Sequence, residues 1–210
     1  MNKAQVRDLL FTALTPVITA KGFRLNKKDW RFFRVIPGGN QTIGIPCTGA
    51  EPQFKFTLVL NVRLDAVEQI RNLFNEAPPA YHAATKTFVG RLDRFFAQEP
   101  FLDESFRFSV ANEADVQSAL AQLLPVVQNT ILPFLDRQQD IPSIASAMNL
   151  TAAPPTVTNL NEASAPLTVA RLSRHPGFDA LVAGYRQALQ GLGEPEKQKF
   201  EQLVVHLQKI

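Results

Sequence analysis

Only one cysteine, Cys47, occurs in the 210 residues, with three histidines and a single tryptophan. One thiol cannot form an internal disulfide, and it reads as a reduced cysteine in a cytoplasmic setting. His82, His175 and His206 are far apart in sequence and none lies near Cys47. Without an H-x-x-x-H or C-x-x-C spacing, no metal site is expected. No G-x-x-x-x-G-K-S/T loop, G-x-G-x-x-G fingerprint or G-x-S-x-G elbow occurs either, so the usual phosphate cradles and hydrolase nucleophile turns are missing and no cofactor is expected. The lack of an 18-residue apolar run argues against a membrane-spanning helix and a membrane partner. What remains is 45% hydrophobic and 20% charged. A chain of this length buries roughly 70% of its unfolded surface and needs no covalent staple.

Charge is unevenly placed. Residues 1–37 hold eight Lys or Arg against Asp8 and Asp29, a balance of +6, which leaves −3 for the other 173 residues. A basic N-terminal element can steer toward an anionic partner or pair with the chain's own acids. The N-terminal stretch is basic and apolar like a signal peptide, but Arg7 and Asp8 interrupt it and its apolar residues are spaced as on a helix.

Val6, Leu9, Leu10, Ala13, Leu14, Val17 and Ile18 predict a helix over about residues 3–20, bent near Pro16 and stopped at Gly22. The period then changes to two. Trp30–Ile36 and Gln41–Cys47 flank a tight turn at Pro37-Gly38-Gly39-Asn40, and Phe54, Phe56, Leu58, Leu60 and Val62 alternate with Lys55, Thr57, Val59, Asn61 and Arg63 as one long strand. A short helix or turn at 66–75 follows. Thr85–Phe96 and Glu104–Val110 read as two further strands. Asn112 can cap a helix with the stripe Val116 to Leu135, kinked or broken at Pro125 and Pro133, and Asp140 can cap another through Met148. The resulting expectation is an α+β protein in which an antiparallel sheet of four or five strands is packed by helices on one face. Residues 1–150 form that domain, 151–165 a linker, and 166–210 a C-terminal helical hairpin packing on the main domain or on a second subunit.

Few side chains remain for chemistry. Pro46 and Thr48 supply no charge to lower the pKa of Cys47, and alternation puts it with Ile43 and Ile45, so it reads as a buried structural thiol. The acidic pairs Asp103-Glu104 and Glu194 with Glu196 read as loop or cap residues, and no catalytic residue is assigned. If the strands share one sheet, Lys55, Arg63 and Arg107 project from the face opposite the phenylalanines, joined by Arg31 and by Arg91 or Arg94. Such a face can bind an acidic protein surface, a nucleic-acid backbone or a small anion. Alternatively it is solvated, or covered by the C-terminal helices with Glu196 and Glu201 as partners. Trp30, Phe32 and Phe33 beside Arg31 and Arg34 have the composition of a base-stacking strip, although aromatics alternating along a strand read more simply as core.

The order of signals also resembles a known family. The helix ending in Gly22-Phe23, the aromatic strand Trp30–Val35, the strand Phe54–Leu60 closing on Asn61, Arg91-Leu92, the Phe106 strand and the helix ending Pro133-Phe134-Leu135 are similar to the bacterial domain-of-unknown-function family numbered forty-three oh four, over residues 3–140. That resemblance carries a fold and no established activity, cofactor or catalytic residue. The function expected is a cytoplasmic, non-catalytic binding module whose basic residues Arg31, Lys55, Arg63, Arg91 and Arg107 engage an acidic protein, ahead of nucleic acid; a homo-oligomer through the C-terminal helices is left open. The alternative is an enzyme acting on a small anionic substrate through those arginines.

Overall fold

The computed structural model describes residues 1–74, 78–91, 106–150 and 157–210. The fold is α+β, as expected, with an antiparallel sheet of five strands and a second sheet of three. The chain divides into two compact units, one of residues 1–36, 40–62 and 89–137 and one of residues 37–39, 63–88 and 138–210.

Unit one starts with helix α1 (Lys3–Thr19), closed at its N-terminus by a capping box between Asn2 and Gln5. Its stripe Val6, Leu10, Phe11, Leu14 and Ile18 is buried. Pro16 lacks the N–H that would bond Thr12, yet the helix runs through it, with the Thr15 and Thr19 hydroxyls each donating to the carbonyl one turn back. Gly22 follows at φ +80°, the left-handed conformation that ends the helix without a Cβ clash.

Strands β1 (Arg24–Asn26), β2 (Arg31–Ile36), β3 (Gly39–Gly44), β6 (Val59–Leu64) and β7 (Phe88–Arg91) form the larger sheet in the order β1-β2-β3-β6-β7. The tight turn falls at Pro37-Gly38, with Gly38 at φ +69°. A Cβ on Gly39 would sit 1.9 Å from the Arg63 carbonyl oxygen, so only glycine lets β3 approach β6 there. Strands β4 (Cys47–Ala50), β5 (Gln53–Phe56) and β8 (Phe108–Val110) form the smaller sheet, with β5 in the centre.

Two of the expected strands are therefore each split. Gln41–Cys47 ends at Gly44, and Cys47 opens β4 in the other sheet. The run from Phe54 to Arg63 breaks at Thr57-Leu58, so β5 and β6 belong to different sheets. The alternation itself is intact, because Phe54, Phe56, Leu58, Leu60 and Val62 are all buried. Side-chain period reports which residues face inward and says nothing of which neighbour the backbone bonds to. Of the two later strands, only Phe88–Arg91 and Phe108–Val110 are strand among the described residues; 92–105, with Arg94, Asp103 and Glu104, lie outside them.

Asn112 caps α4 (Glu113–Val126) in a box with Asp115. Instead of a break, the helix widens into a π segment at Val127–Ile131, between the two prolines, and resumes as α5 (Leu132–Arg137). The Leu132 N–H reaches back five residues to the Val127 carbonyl, a register that accommodates missing proline donors. The 25-residue segment is, contrary to expectation, long and apolar enough by length and composition to cross a membrane. Its apolar side chains Val116, Ala119, Leu120, Leu123, Val127, Ile131 and Leu135 form one buried stripe, with Glu113, Gln117, Gln122, Gln128 and Arg137 exposed. That is the pattern of a helix lying on a protein core, and α4 packs against α1 and β8.

Unit two is helical: α2 (Asp65–Arg71), α3 (Pro79–His82), α6 (Ile141–Met148), α7 (Leu160–Leu172), α8 (Phe178–Ala188) and α9 (Glu194–Gln208). Asp140 caps α6 as expected, through Ser143. Helix α7 occupies residues 160–165 of the expected linker, and 151–156 lie outside the described residues. It is the centre of the unit, packing against α2, α6, α8 and α9. Ala163, Ser164, Ala165, Leu167, Thr168, Val169 and Ala170 are consecutive or nearly so, and all are buried. A helix covered on every side shows no amphipathic stripe, and its small residues resemble loop composition. The C-terminal pair is thus not an appendage after a linker. Its stripes, Phe178, Leu181, Val182 and Tyr185 on α8 and Phe200, Leu203, Val204 and Leu207 on α9, are buried in a unit centred on α7. Glu201 accepts both prongs of Arg186 at 2.6 and 2.8 Å, which joins α9 to α8.

Two outcomes follow from this packing. Ala163→Leu on the enclosed face of α7 should destabilise the protein by about 1–3 kcal/mol through overpacking, read as a lower urea midpoint. The Arg186 hydrogen bonds hold the Glu201 carboxyl below the ordinary glutamate range. A carboxyl lowered in the folded state adds stability above its ordinary pKa and loses it as pH falls through the lowered value. The pair is about half exposed. Comparing wild type with Glu201→Gln should give a difference of about 0.5 kcal/mol at neutral pH that shrinks below the ordinary glutamate range and vanishes once pH has fallen through the lowered value.

Candidate functional site

In the smaller sheet, Cys47, Phe56 and Phe108 lie opposite one another across the three strands, as do Gly49, Phe54 and Val110. Directly opposed residues share a face, and the Phe56 and Phe108 rings stack at 5.1 Å on the inner one. The outer face then carries the row Thr48, Lys55 and Ser109, all exposed. Arg107, two residues before Ser109, is exposed and lines the same recess as Lys55. The recess holds about 390 Å³, with Pro46 and Val59 as apolar walls and Thr57 among its lining. Lys55 forms no ion pair among the described residues.

Thr57 is the unusual member. It is 6% exposed, and its Oγ1 has no hydrogen-bond partner among the described residues. A buried hydroxyl left unpaired costs about 1–3 kcal/mol, so such an atom requires an explanation. Sequence reading passed over it because a threonine on the outer parity of a strand is ordinarily solvated. Only the burial makes it conspicuous.

The other expected basic residues do not join Lys55 and Arg107 into one face. Arg63 stands in the other sheet and is 9% exposed. Its Nε donates to Asp65 Oδ1 at 2.8 Å, and its Nη1 donates to the His82 and Thr85 carbonyls and to Thr85 Oγ1 at 2.8–3.0 Å. A buried guanidinium with this many acceptors ties loop to strand and is not presented to a ligand. Arg31 is turned onto Asp29 at 2.8 Å. The side chain of Arg91 lies outside the described residues. Glu201, an alternative cover for the basic face, is taken by Arg186.

The aromatic strip is also dispersed. Phe32 is fully buried and stacks on Phe11 at 5.2 Å. Trp30, at φ +50°, precedes β2, meets Phe11 at 5.3 Å and carries the Arg7 guanidinium over its ring. Arg34 donates to Gln41 Oε1, to the Lys21 carbonyl and to Asp136 Oδ1, and it lies 4.4 Å over Phe23. Phe32, Trp30 and Arg34 are thus held in packing contacts within unit one.

Cys47 is a buried free thiol, as its alternation indicates. Burial pushes its pKa up, against the opposing pull of Lys3 and Arg7 on α1. Those two cations add to the positive field around the start of β4. No protein-family model, curated protein or solved structure matches the chain.

Arg63→Ala should cost about 2–3 kcal/mol, because it orphans carbonyls and removes charge-assisted hydrogen bonds, while Lys55→Ala should stay within about 0.5 kcal/mol in the same urea titration. Cys47 should resist a thiol reagent in the native protein and react at once in denaturant, with the absorbance of the released chromophore as the measurement.

Proposed function

We propose that the protein is a non-catalytic binding module that engages an acidic protein through the outer face of its smaller sheet. The observation that carries this reading is the placement of Lys55 and Arg107 around one recess, on a sheet face whose other exposed members are small and polar. Cations of one sign around a shallow hollow attract carboxylates from a distance and hold them weakly at the rim, more strongly where water is excluded. Nucleic acid is the less favoured partner: Trp30 and Phe32 pack on Phe11 within unit one, and Arg31 and Arg34 are paired with acids. A cytoplasmic location belongs to the same reading, since the chain's one cysteine is a free thiol.

The reading is tested by fluorescence anisotropy of labelled polyglutamate at low ionic strength, with duplex DNA of matched charge as the comparison. Charge reversal by Lys55→Glu together with Arg107→Glu should weaken polyglutamate binding by tenfold or more, and raising salt should weaken the wild type in parallel. Thermal melts confirm that both proteins fold. Equal affinity of the two proteins, or tighter binding of DNA than of polyglutamate by wild type, would overturn it.

A further inference from the structure

We infer that the recess between α1 and the β1–β2 turn binds a free amino acid with an aromatic side chain, its ring against Trp30, its ammonium on Asp8 and its carboxylate on Lys27. The site lies wholly in unit one and shares no residue with the recess at Lys55. It holds about 350 Å³, within the range of small-molecule pockets. One wall is a single face of α1, where Asp8, Phe11, Thr12, Thr15 and Pro16 recur at helical spacing. Thr12, Thr15 and Pro16 are short, and the Thr15 hydroxyl is folded back onto the Phe11 carbonyl at 2.6 Å, so that face leaves space beside the hairpin. Leu25, Lys27 and Trp30 form the other wall.

Trp30 marks this recess as a site. Asn26 pairs with Arg31 across the hairpin, which leaves Lys27 to Trp30 to turn the chain, and Asp29 Oδ2 accepts from both Asn26 and Arg31. Trp30 closes the turn at φ +50°, the left-handed conformation in which a Cβ crowds the next carbonyl oxygen and which glycine or asparagine ordinarily fills. A bulky residue kept there points to a role for its side chain. Its ring centre lies 5.3 Å from that of Phe11 and 5.3 Å from the Arg7 guanidinium, and the half-buried indole still lines the recess. With Leu25 and Pro16 beside it, this wall suits a planar ring. The remaining lining carries one charge of each sign. Asp8 and Lys27 are both exposed, and neither forms an ion pair with another described residue. A simple anion or cation leaves one of them unmatched, whereas the zwitterion of an amino acid answers both.

Trp30 is the chain's one tryptophan, so its emission reports on this recess. L-Phenylalanine added to the full chain should change that emission saturably, with titration calorimetry as the check against silent binding. N-acetylphenylalanine, which lacks the ammonium, and phenylalaninamide, which lacks the carboxylate, should each bind about three- to tenfold more weakly. Leucine should also bind more weakly than phenylalanine. Asp8→Asn should weaken phenylalanine and leave N-acetylphenylalanine unchanged, and Lys27→Gln should weaken phenylalanine and leave phenylalaninamide unchanged. The charge reversal at Lys55 and Arg107 should leave phenylalanine binding intact, so this site and the acidic-partner reading stand or fall separately. Absence of both a saturable emission change and a binding heat would overturn the inference. So would wild-type protein binding either analogue or leucine as tightly as phenylalanine, or variants that keep both the wild-type melting temperature and the wild-type affinity.

Discussion

The structure of unit one depends on an apolar row that changes sheets without changing sides. Phe54, Phe56, Leu58, Leu60 and Val62 are buried without exception, yet the backbone that carries them bonds to β4 and β8 before Thr57-Leu58 and lies between β3 and β7 after it. Each of these side chains contributes of the order of 1.5–3 kcal/mol on burial, which holds the inward direction constant while the hydrogen-bond partners are exchanged. In the same unit, α1 and α4 meet each other and the smaller sheet, and the outward parity of the same run carries Lys55, Thr57, Asn61 and Arg63.

The exchange of sheets also decides what the cations do. Before it, Lys55 is left on an exposed face; after it, Arg63 is drawn into a cage of carbonyls and Asp65. Arg71 is used in the same way in unit two, joining Glu68, Ser164 and the Lys86 carbonyl. In the N-terminal segment, Lys21 and Arg34 converge on Asp136, and Arg31 is matched by Asp29. The +6 of the first 37 residues already counts Asp29; beyond it, Asp136 meets Lys21 and Arg34, and the Arg7 and Arg34 guanidinium groups lie over aromatic rings.

Legibility followed periodicity. Helices α1, α4, α8 and α9 were readable because each has one apolar stripe, and α4 and α6 also through a capping residue that satisfies free N–H groups of the first turn. Helix α7 was not readable, because burial on all sides erases the contrast between faces and Pro166 with its small neighbours imitates a loop. The π segment was anticipated only as a disturbance at Pro125 and Pro133; its form comes from backbone groups finding acceptors one residue further back. In the candidate site, Lys55 and Arg107 were legible as outward positions of strands, whereas Thr57 was not, since an unpaired hydroxyl is defined by its neighbours.

What the sequence by itself determined is local: the parity of each strand, the caps of α4 and α6, the helix stripes, the burial of Cys47, and an α+β composition of elements. All of these follow from side-chain period and backbone donors, which act within a few residues. Only the tertiary structure decided that one alternating run serves two sheets, that Arg63 and Lys55 belong to different environments, and that α7 is a core and not a linker. Those outcomes depend on which distant segments supply hydrogen-bond partners and cover, and nothing in the spacing of residues along the chain encodes the identity of the segment that arrives.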